Sequence, residues 1–393
     1  MDLDRYLNKI VSAFRKRMTR REFVGTCAKA ALCAGVGANV LGLYSKYQAY
    51  AAIGEKRGMR EALFYEKISD ETVKCLLCPM GCVLSNGQRG FCRVREPVDG
   101  KLYTLVYELA CALHIDPVEK KPIFHMMPGH KTLSVATAGC NSRCKYCQNW
   151  DISQSPPEET KNKIVTAGDL VGSARTNRCA SISYTYSEPA VFYEYMTATA
   201  ALAKQHGVRN IMVTSGKINP EPLENACKLI DAAHVDLKGF DKKYLKDTCA
   251  QDLDNILGSL VIMKKNGVWV EVVNLVVPGL NDRMEDIKRM SAWICDNLTA
   301  DTPLHFSRFW PQYKMRSHYP TPEETLIQAR ETAIGEGLRY VYIGNIPGSQ
   351  GENTFCPSCK RTVIERTGYT VRKNNLDNGA CGFCGQKIPG IWS

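Results

Sequence analysis

Apolar runs, polar turns and amphipathic stretches repeat along the chain from about residue 130 onward. They recur at intervals of roughly 25 to 35 residues, which is typical of consecutive βα units. The apolar runs predict strands at residues 132–137, 180–186, 209–214, 234–238, 268–276, 303–306 and 339–343. The amphipathic stretches predict helices at residues 190–205, 220–232, 254–266, 283–297 and 322–336. Parallel βα units predict an α/β fold, a partial (β/α) barrel of the TIM type, with its chemistry on the loops after strand ends.

The composition is that of a globular protein with an uneven charge distribution. Of the 393 residues, 44% are hydrophobic and 23% charged, and the formal net charge is +11. Residues 1–60 contribute +8 and residues 351–393 contribute +3, so that residues 61–350 are neutral. Nucleic-acid enzymes carry their basic excess on the body that grips phosphate. The charge therefore argues against DNA and RNA partners, and the +3 tail leaves radical modification of RNA as a further alternative.

The first 60 residues form a basic leader. Arg20 and Arg21 precede Phe23, and the stretch between Lys29 and Lys46 is uncharged. This pattern resembles a twin-arginine export signal, and the alternative is a basic amphipathic helix before the fold. We expect the protein in the cytoplasm or on the cytoplasmic membrane, with export by the twin-arginine route as the alternative location.

Most of the 18 cysteines fall into three tight groups. Neighbours two or three residues apart converge readily on one metal but make poor disulfides. The groups therefore indicate metal sites and divide the chain after its leader into a four-Cys region (61–127), the barrel (128–350) and a small terminal module (351–393). The groups are Cys75, Cys78, Cys82 and Cys92; Cys140, Cys144 and Cys147; and Cys356, Cys359, Cys381 and Cys384.

The central group follows the first predicted strand of the βα series. Cys140, Cys144 and Cys147 have the spacing C-x3-C-x2-C on one loop. Three thiolates can hold three corners of a 4Fe-4S cluster and leave the fourth iron without a protein ligand, whereas structural zinc takes four protein ligands. A distant cysteine is the alternative fourth ligand.

This loop, with an aromatic residue before its last cysteine, resembles the signature of the radical S-adenosylmethionine (SAM) superfamily. The resemblance implies that SAM binds the open iron, that one electron cleaves it to a 5′-deoxyadenosyl radical, and that this radical abstracts hydrogen from a substrate. The upstream cysteines, the segment from Asp116 to His125 and the terminal module resemble AmmeMemoRadiSam-system enzymes in particular. These are relatives of pyruvate formate-lyase (glycyl radical enzyme) activating enzymes. The resemblance covers about residues 70 to 393.

Five further residues near predicted strand ends are candidates for the SAM site. Glu188 lies in Tyr-Ser-Glu-Pro, which resembles the family's Gly-Gly-Glu-Pro with both glycines replaced. The resemblance implies that Glu188 accepts a hydrogen bond from the SAM ammonium, that Lys238 of Asp-Leu-Lys pairs with the SAM carboxylate while Asp236 orients it, and that His305 contacts SAM. Ser215 ends the third predicted strand, where its hydroxyl and backbone amide suit the SAM ribose or carboxylate. Each residue also has an alternative role without SAM. Glu188 is then a carboxylate at a helix N-terminus, and Asp236 and Lys238 form a salt bridge at the barrel rim. His305 is then a core histidine, and Ser215 belongs to a turn that ends a strand.

The flanking groups each offer four thiolates and are closed sites. The upstream group fits structural zinc or a fully coordinated second 4Fe-4S cluster, and the sequence does not choose between them. The terminal group has two C-x2-C knuckles that predict a zinc ribbon, with a rubredoxin-like iron as the alternative. Short strands at residues 363–366 and 369–372 are predicted between its knuckles.

Together these features predict a radical SAM oxidoreductase or activating enzyme. The resemblance implies a reductant such as flavodoxin or ferredoxin, and a partner protein or a small molecule as substrate. A non-catalytic iron-sulfur protein that transfers electrons or senses redox state is the alternative from another class.

Overall fold

The computed structural model describes residues Gly58–Ser393 as one compact unit. The leader, with its predicted export signal, lies outside these residues. The strands are β1 (Arg60–Glu61), β2 (Tyr65–Lys67), β3 (Thr72–Cys75), β4 (Val83–Ser85), β5 (Arg95–Val98), β6 (Lys101–Thr104), β7 (Leu109–Ala110), β8 (Ala112–Pro117), β9 (Lys131–Ala136), β10 (Lys163–Ile164), β11 (Ser181–Tyr184), β12 (Arg209–Thr214), β13 (Ala232–Asp236), β14 (Trp269–Val276), β15 (Leu304–Arg308), β16 (Val341–Gly344), β17 (Thr354–Phe355), β18 (Thr362–Thr367), β19 (Thr370–Asn374), β20 (Leu376–Asp377) and β21 (Ala380–Cys381).

The α-helices surround the central strands. They are α1 (Trp150–Ser153), α2 (Ala167–Thr176), α3 (Tyr193–Gln205), α4 (Pro220–Cys227), α5 (Lys242–Tyr244), α6 (Leu253–Lys265), α7 (Met284–Asn297) and α8 (Glu323–Gly335). Short 3-10 turns occur at Val118–Lys120, Pro157–Glu159, Pro189–Phe192 and Gln350–Glu352, and a π-helical turn at Leu245–Cys249.

Within the described residues, an eight-stranded sheet forms the centre of the fold. Its order is β16-β15-β14-β13-β12-β11-β9-β8, and the strands from β9 to β16 pair in parallel. The seven predicted strands are therefore confirmed as an α/β arrangement, with ends that differ by up to two residues. The carboxyl ends of parallel strands share one edge of the sheet, so the loops that follow them lie close together.

Strand β8 was not predicted, and it is antiparallel to β9 at the edge of the sheet. Its residues pair one by one with β9, from Ala112 opposite Ala136 to Pro117 opposite Lys131. The strand ends at Pro117, which has no N–H to donate and is accepted at a sheet edge. The central sheet thus recruits a strand from the segment that the cysteine pattern assigns to the four-Cys region.

The helices begin and end where local side chains allow. Helix α2, which the periodicity did not indicate, starts with a capping box in which the Asp169 N–H donates to Thr166 Oγ1 (3.1 Å) and the Thr166 N–H donates to Asp169 Oδ2 (2.9 Å). The predicted helix 220–232 ends at Cys227 because Ala232 already starts β13. Residues of β11 are buried on both faces, as expected for a parallel strand covered by helices on both sides.

The terminal module is antiparallel and packs on the barrel through aromatic residues. Strands β18 and β19 pair antiparallel at the predicted hairpin, with β17 on the other side of β18. Tyr340 and Tyr342 of the barrel region and Phe124, which precedes it, form one buried cluster with Cys356 and Val363 of the module. Within residues 58–393, no helix is both long and apolar enough to cross a membrane.

Candidate active site

A cavity of about 480 Å3 lies where the parallel strands end. The three cysteines of the central loop line it, and so do the five residues predicted to contact SAM. The structure thus brings together all eight residues predicted for the central site: Cys140, Cys144, Cys147, Glu188, Ser215, Asp236, Lys238 and His305.

The loop that carries the cysteines is placed by a close approach to the four-Cys region. Gly139, just before Cys140, has φ +89°, a left-handed value that suits glycine. A Cβ atom here would lie 2.5 Å from Val94 Cγ1 and 2.6 Å from the Cys92 carbonyl oxygen. Only glycine fits at this contact, so the cysteine loop and the segment around Cys92 are packed directly against each other.

The same loop is held from the other side by the end of the π-helical turn and the residue after it. The backbone N–H of Arg143 donates to the Cys249 carbonyl (2.8 Å), and that of Lys145 donates to the Thr248 carbonyl (3.0 Å). The buried Lys217 ammonium donates to the carbonyl oxygens of Asn141 (2.8 Å) and Ala250 (2.5 Å). Lys217 therefore joins the two segments. Its local sequence pattern does not indicate this role.

Cys249 has a place in the site that the sequence analysis did not assign. Its thiol is buried beside Cys144 and is 3.1 Å from the Tyr146 hydroxyl. A hydrogen bond with Cys249, together with burial, raises the pKa of Cys144. Cys249 is not among the residues that line the cavity, whose cysteines within the described chain are Cys140, Cys144 and Cys147.

Glu188 is buried at the wall of the cavity and is held by several donors. The Thr214 hydroxyl donates to Oε1 (2.5 Å), while the Ser215 N–H (2.8 Å) and hydroxyl (2.7 Å) donate to Oε2. Burial raises the pKa of Glu188, and these donors oppose that rise. Both polar groups of Ser215 point to Glu188, so this serine positions the carboxylate.

Tyr186, the first residue of the Tyr-Ser-Glu-Pro motif, has an unusual backbone conformation. Its φ is +65°, a left-handed conformation that glycine adopts freely and tyrosine does not. The strain is offset by contacts: its hydroxyl donates to Asp116 Oδ2, and the Lys121 ammonium lies 4.3 Å from its ring centroid. The backbone at the first motif position thus has a conformation that glycine adopts readily.

Asp116, Lys121 and Tyr186 form a polar group beside the cavity that the sequence analysis left without a role. The buried Lys121 ammonium donates to Asp116 Oδ2 at 2.7 Å. Burial lowers the pKa of Lys121 to about 8, against the opposing effect of Asp116. Lys121 and Tyr186 both line the cavity. The resemblance of residues 116–125 to AmmeMemoRadiSam-system enzymes was the sequence signal that could have indicated this polar group.

Asp236 and Lys238 form an ion pair at the cavity, with Nζ 3.0 Å from Oδ2. His234 Nε2 lies 3.3 Å from the other carboxylate oxygen of Asp236. Burial alone raises the pKa of Asp236, but Lys238 and His234 outweigh it and lower that pKa. Burial alone lowers the pKa of Lys238, but Asp236 and Cys144 outweigh it and raise that pKa. A positive charge is thus kept beside the cysteine loop.

His305 lines the cavity but also has a buried partner in the sheet. Its Nε2 is 2.7 Å from Glu271 Oε2, and its ring stacks on Tyr342 with centroids 4.9 Å apart. Glu271 also accepts the backbone N–H groups of Phe124 and His125. Burial lowers the pKa of His305. The contact with SAM stays a prediction for this residue.

The cavity and its thiols fit a 4Fe-4S cluster with an open iron. Three cysteines from one loop face a space large enough for more than the cluster, and a carboxylate and an ammonium face the same space. The chemistry of the donors also fits, since thiolates are the usual ligands of such clusters.

The two flanking cysteine groups differ in the spacing of their sulfur atoms. In the terminal group, the four Sγ atoms lie within 4.8 Å of one another, with Cys356 and Cys384 at 3.6 Å and Cys359 and Cys381 at 3.7 Å. Within residues 58–393, no other group of three or more cysteines has all its sulfur atoms this close together. The upstream group instead lines a separate small cavity of about 20 Å3.

Comparison with known proteins agrees with the resemblance carried by the cysteine loop. A sequence profile of the radical SAM superfamily matches residues 134–291. A protein of Methanocaldococcus jannaschii that is described as uncharacterised is 47% identical over 332 residues, which cover 84% of this chain and 99% of that protein. The pyruvate formate-lyase-activating enzyme of Streptococcus mutans is 25% identical over 167 residues, 40% of this chain and 63% of the enzyme.

A solved structure adds a more distant similarity. A radical SAM methyltransferase from Sphaerobacter thermophilus is 13% identical, with coverage of 75% of this chain and 81% of that chain and a TM-score of 0.45. The family expectation rests on the sequence matches and on the cysteine loop after β9, and these confirm it. The chain belongs to the radical SAM superfamily.

Proposed function

We propose that the protein binds a 4Fe-4S cluster through Cys140, Cys144 and Cys147, cleaves SAM reductively in the cavity and abstracts hydrogen from a substrate. The observation that carries this proposal is the shared cavity, which places the three thiols with Glu188 and Lys238. The amino-acid part of SAM has one ammonium and one carboxylate, and Glu188 and Lys238 offer a group of opposite charge to each.

The residues of the chain have separate tasks in this proposal. Glu188 accepts the SAM ammonium in a charge-assisted hydrogen bond, and Thr214 and Ser215 keep its carboxylate oriented. Lys238 pairs with the SAM carboxylate, while Asp236 holds its ammonium in place. When the cluster is bound, one electron cleaves SAM to methionine and a 5′-deoxyadenosyl radical, which takes a hydrogen atom from the substrate.

The strand residues that line the cavity protect this chemistry from water. Val213, Val273, Leu275 and Ile343 present apolar side chains to the cavity. Exclusion of water prevents side reactions of reactive species. The walls therefore favour transfer to a substrate that fills the cavity mouth.

The substrate and the reductant are proposed by analogy. The relative from Streptococcus mutans activates pyruvate formate-lyase, a protein, so a partner protein is the first substrate to test. The match to the AmmeMemoRadiSam branch rests on the cysteine loop, the segment 116–125 and the terminal module. A small flavodoxin- or ferredoxin-type protein is the proposed electron donor, and a cytoplasmic location suits both it and SAM.

We also propose zinc at the terminal cysteine group. A zinc–thiolate bond of about 2.3 Å places tetrahedral sulfur ligands about 3.8 Å apart. The observed separations of 3.6 and 3.7 Å are close to that value. This supports one ion at the centre of a ribbon.

Anaerobic reconstitution with iron, sulfide, SAM and a reductant tests the main proposal. We expect 5′-deoxyadenosine and methionine from the wild-type protein and none from Cys140→Ala. The electron paramagnetic resonance (EPR) signal of the reduced cluster should also change when SAM is added, because only an open iron can be chelated. A fully reconstituted protein that neither cleaves SAM nor responds to it would be a non-catalytic iron-sulfur protein.

A further inference from the structure

The upstream cysteines enclose a second site beside the cysteine loop of the cavity. Cys75 ends β3, Cys78 and Cys82 follow before β4, and Cys92 lies before β5. All four line the small cavity of about 20 Å3 together with Arg95 and Asn141. Asn141 belongs to the C-x3-C-x2-C loop, so the two sites share a wall.

Backbone N–H groups lie near the sulfur atoms of this site. The N–H of Phe91 donates to Cys82 Sγ at 3.5 Å. The backbone N–H groups of Leu77, Met80 and Val94 oppose the rise in pKa that burial causes at Cys75, Cys78 and Cys92. The isolated Cys295 behaves in the opposite way, because its thiol donates to the Glu336 carbonyl at 3.4 Å. An N–H donor beside a sulfur suits a metal-bound thiolate, which accepts hydrogen bonds and has no proton to donate.

The spacing of the sulfurs separates this site from the terminal one. One zinc ion holds sulfur ligands about 3.8 Å apart, whereas four irons at the corners of a cubane hold them further apart. Within residues 58–393, the terminal group shows the compact spacing. The upstream group does not, and neither does the Cys140 group. This difference favours a cluster over a single zinc ion at the upstream site.

A buried N–H also lacks a partner at this site. Arg95 is buried and its Nη2 donates to both carboxylate oxygens of Glu194 (2.8 and 2.7 Å), yet its Nε has no hydrogen-bond acceptor. An unpaired buried N–H is costly unless a further acceptor is present. Cluster sulfurs and thiolates are such acceptors, and the guanidinium offsets their negative charge.

We propose that Cys75, Cys78, Cys82 and Cys92 hold a second, fully coordinated 4Fe-4S cluster that passes electrons to the cluster of the cavity. One electron from an external protein donor reduces the second cluster and then moves to the neighbouring one. Asn141 and the Gly139 contact with Cys92 form the shared wall. The cluster assignment stands without the proposed function, whereas the electron transfer rests on it.

Metal analysis of a variant that lacks the cavity cluster tests the assignment. In the triple variant C140A/C144A/C147A, we expect about four irons and one zinc per chain, with an EPR signal on reduction. Adding Cys75→Ala should remove this iron, and adding Cys295→Ala instead should leave it. Two zincs and no iron in the triple variant would overturn the assignment.

Wild-type protein gives the same answer if the variant does not fold. Mössbauer spectroscopy with metal counting should find about eight irons and one zinc per chain, and four irons with two zincs contradicts the proposal.

The electron-transfer step is tested in Cys75→Ser with the cavity cluster intact. SAM cleavage driven by a protein donor should be lost, while cleavage driven by dithionite should persist. Equal loss with both donors overturns the relay, and no cleavage by wild type with dithionite refutes the proposed function instead.

Discussion

The cysteine loop of the cavity and the terminal cysteine module are held in position by different kinds of contact. The terminal knuckles are stabilised locally: the N–H of Cys356 donates to the Arg361 carbonyl (2.9 Å), and that of Cys381 donates to the Gln386 carbonyl (2.8 Å). The cavity loop instead depends on distant segments, through Cys249 and Lys217. One site is self-contained and the other is held by its surroundings.

The difference follows from the number of ligands. Four thiols from two knuckles can satisfy an ion without further help, and they leave no place for a substrate. Three thiols leave a place open, and the loop that carries them must then be fixed by other parts of the protein. An open site therefore depends on the whole barrel, while a closed one depends on a few neighbouring residues.

The largest expected effect comes from removal of a cavity thiol. Cys144→Ala should abolish formation of 5′-deoxyadenosine, because the cluster loses one of its three protein ligands. Liquid chromatography of the anaerobic reaction measures this product. The matched control is Cys249→Ala, which removes the thiol beside Cys144 and should retain the SAM-dependent EPR change. If that control also loses its cluster, Cys249 is a ligand and the site is not open.

Removal of a terminal thiol should instead act on stability. Cys359→Ser should lose the terminal metal and destabilise the module by more than about 4 kcal/mol, as is usual when a structural metal is lost. Zinc content and thermal unfolding measure the two effects. Cys295→Ser is the control with unchanged metal. A Cys359→Ser protein with full zinc content would show that this group is not a metal site.

The contact at Gly139 tests whether the cavity loop depends on its neighbours. Gly139→Ala combines a left-handed φ with a Cβ clash, whereas Gly87→Ala has a left-handed φ of +77° and open space around its Cβ. We expect the free energy of unfolding to fall by about 1–3 kcal/mol more for Gly139→Ala, the usual cost of overpacking. Urea denaturation of both variants gives the difference. Equal stabilities would mean that the two segments are not packed so closely.

The smallest expected effect concerns SAM binding. Glu188→Gln keeps the shape of the side chain but removes its charge, and should weaken SAM binding by about 1.5 kcal/mol, or about tenfold. Glu352→Gln, which changes another carboxylate at the same cavity, should bind SAM as wild type does. Calorimetry of the reconstituted proteins measures both. Equal effects of the two substitutions would assign the charge preference to the cavity as a whole.

Features that depend on local pattern were predictable from the sequence. The apolar runs indicate the seven parallel strands, and the hairpin between the terminal knuckles occurs where turn and strand residues indicate it. The C-x3-C-x2-C spacing identified the family, and the positions of Glu188, Asp236 and Lys238 after strands placed them at one edge of the sheet. Periodicity and strand polarity are sufficient for this.

Features that depend on tertiary contacts were not predictable. Strand β8 mixes apolar and polar residues and is a strand only because β9 offers it an edge. Cys249 and Lys217 reach the cavity loop from more than 70 positions away in the chain. Tyr186 occupies a glycine conformation because Asp116 and Lys121 hold its side chain. No local pattern encodes these partners.

The contacts between the cavity loop and Thr248 and Cys249 set an order for biosynthesis. Tyr146 and Cys249 are 103 residues apart. At typical rates of translation, about 5–20 s pass between the synthesis of one and the synthesis of the other. During that interval, the three cavity cysteines have been synthesised, but the segment with Thr248 and Cys249 that fixes their loop has not. Delivery of iron and sulfide to the cavity is therefore expected to follow synthesis of the π-helical turn Leu245–Cys249, after the fourth parallel strand has been made.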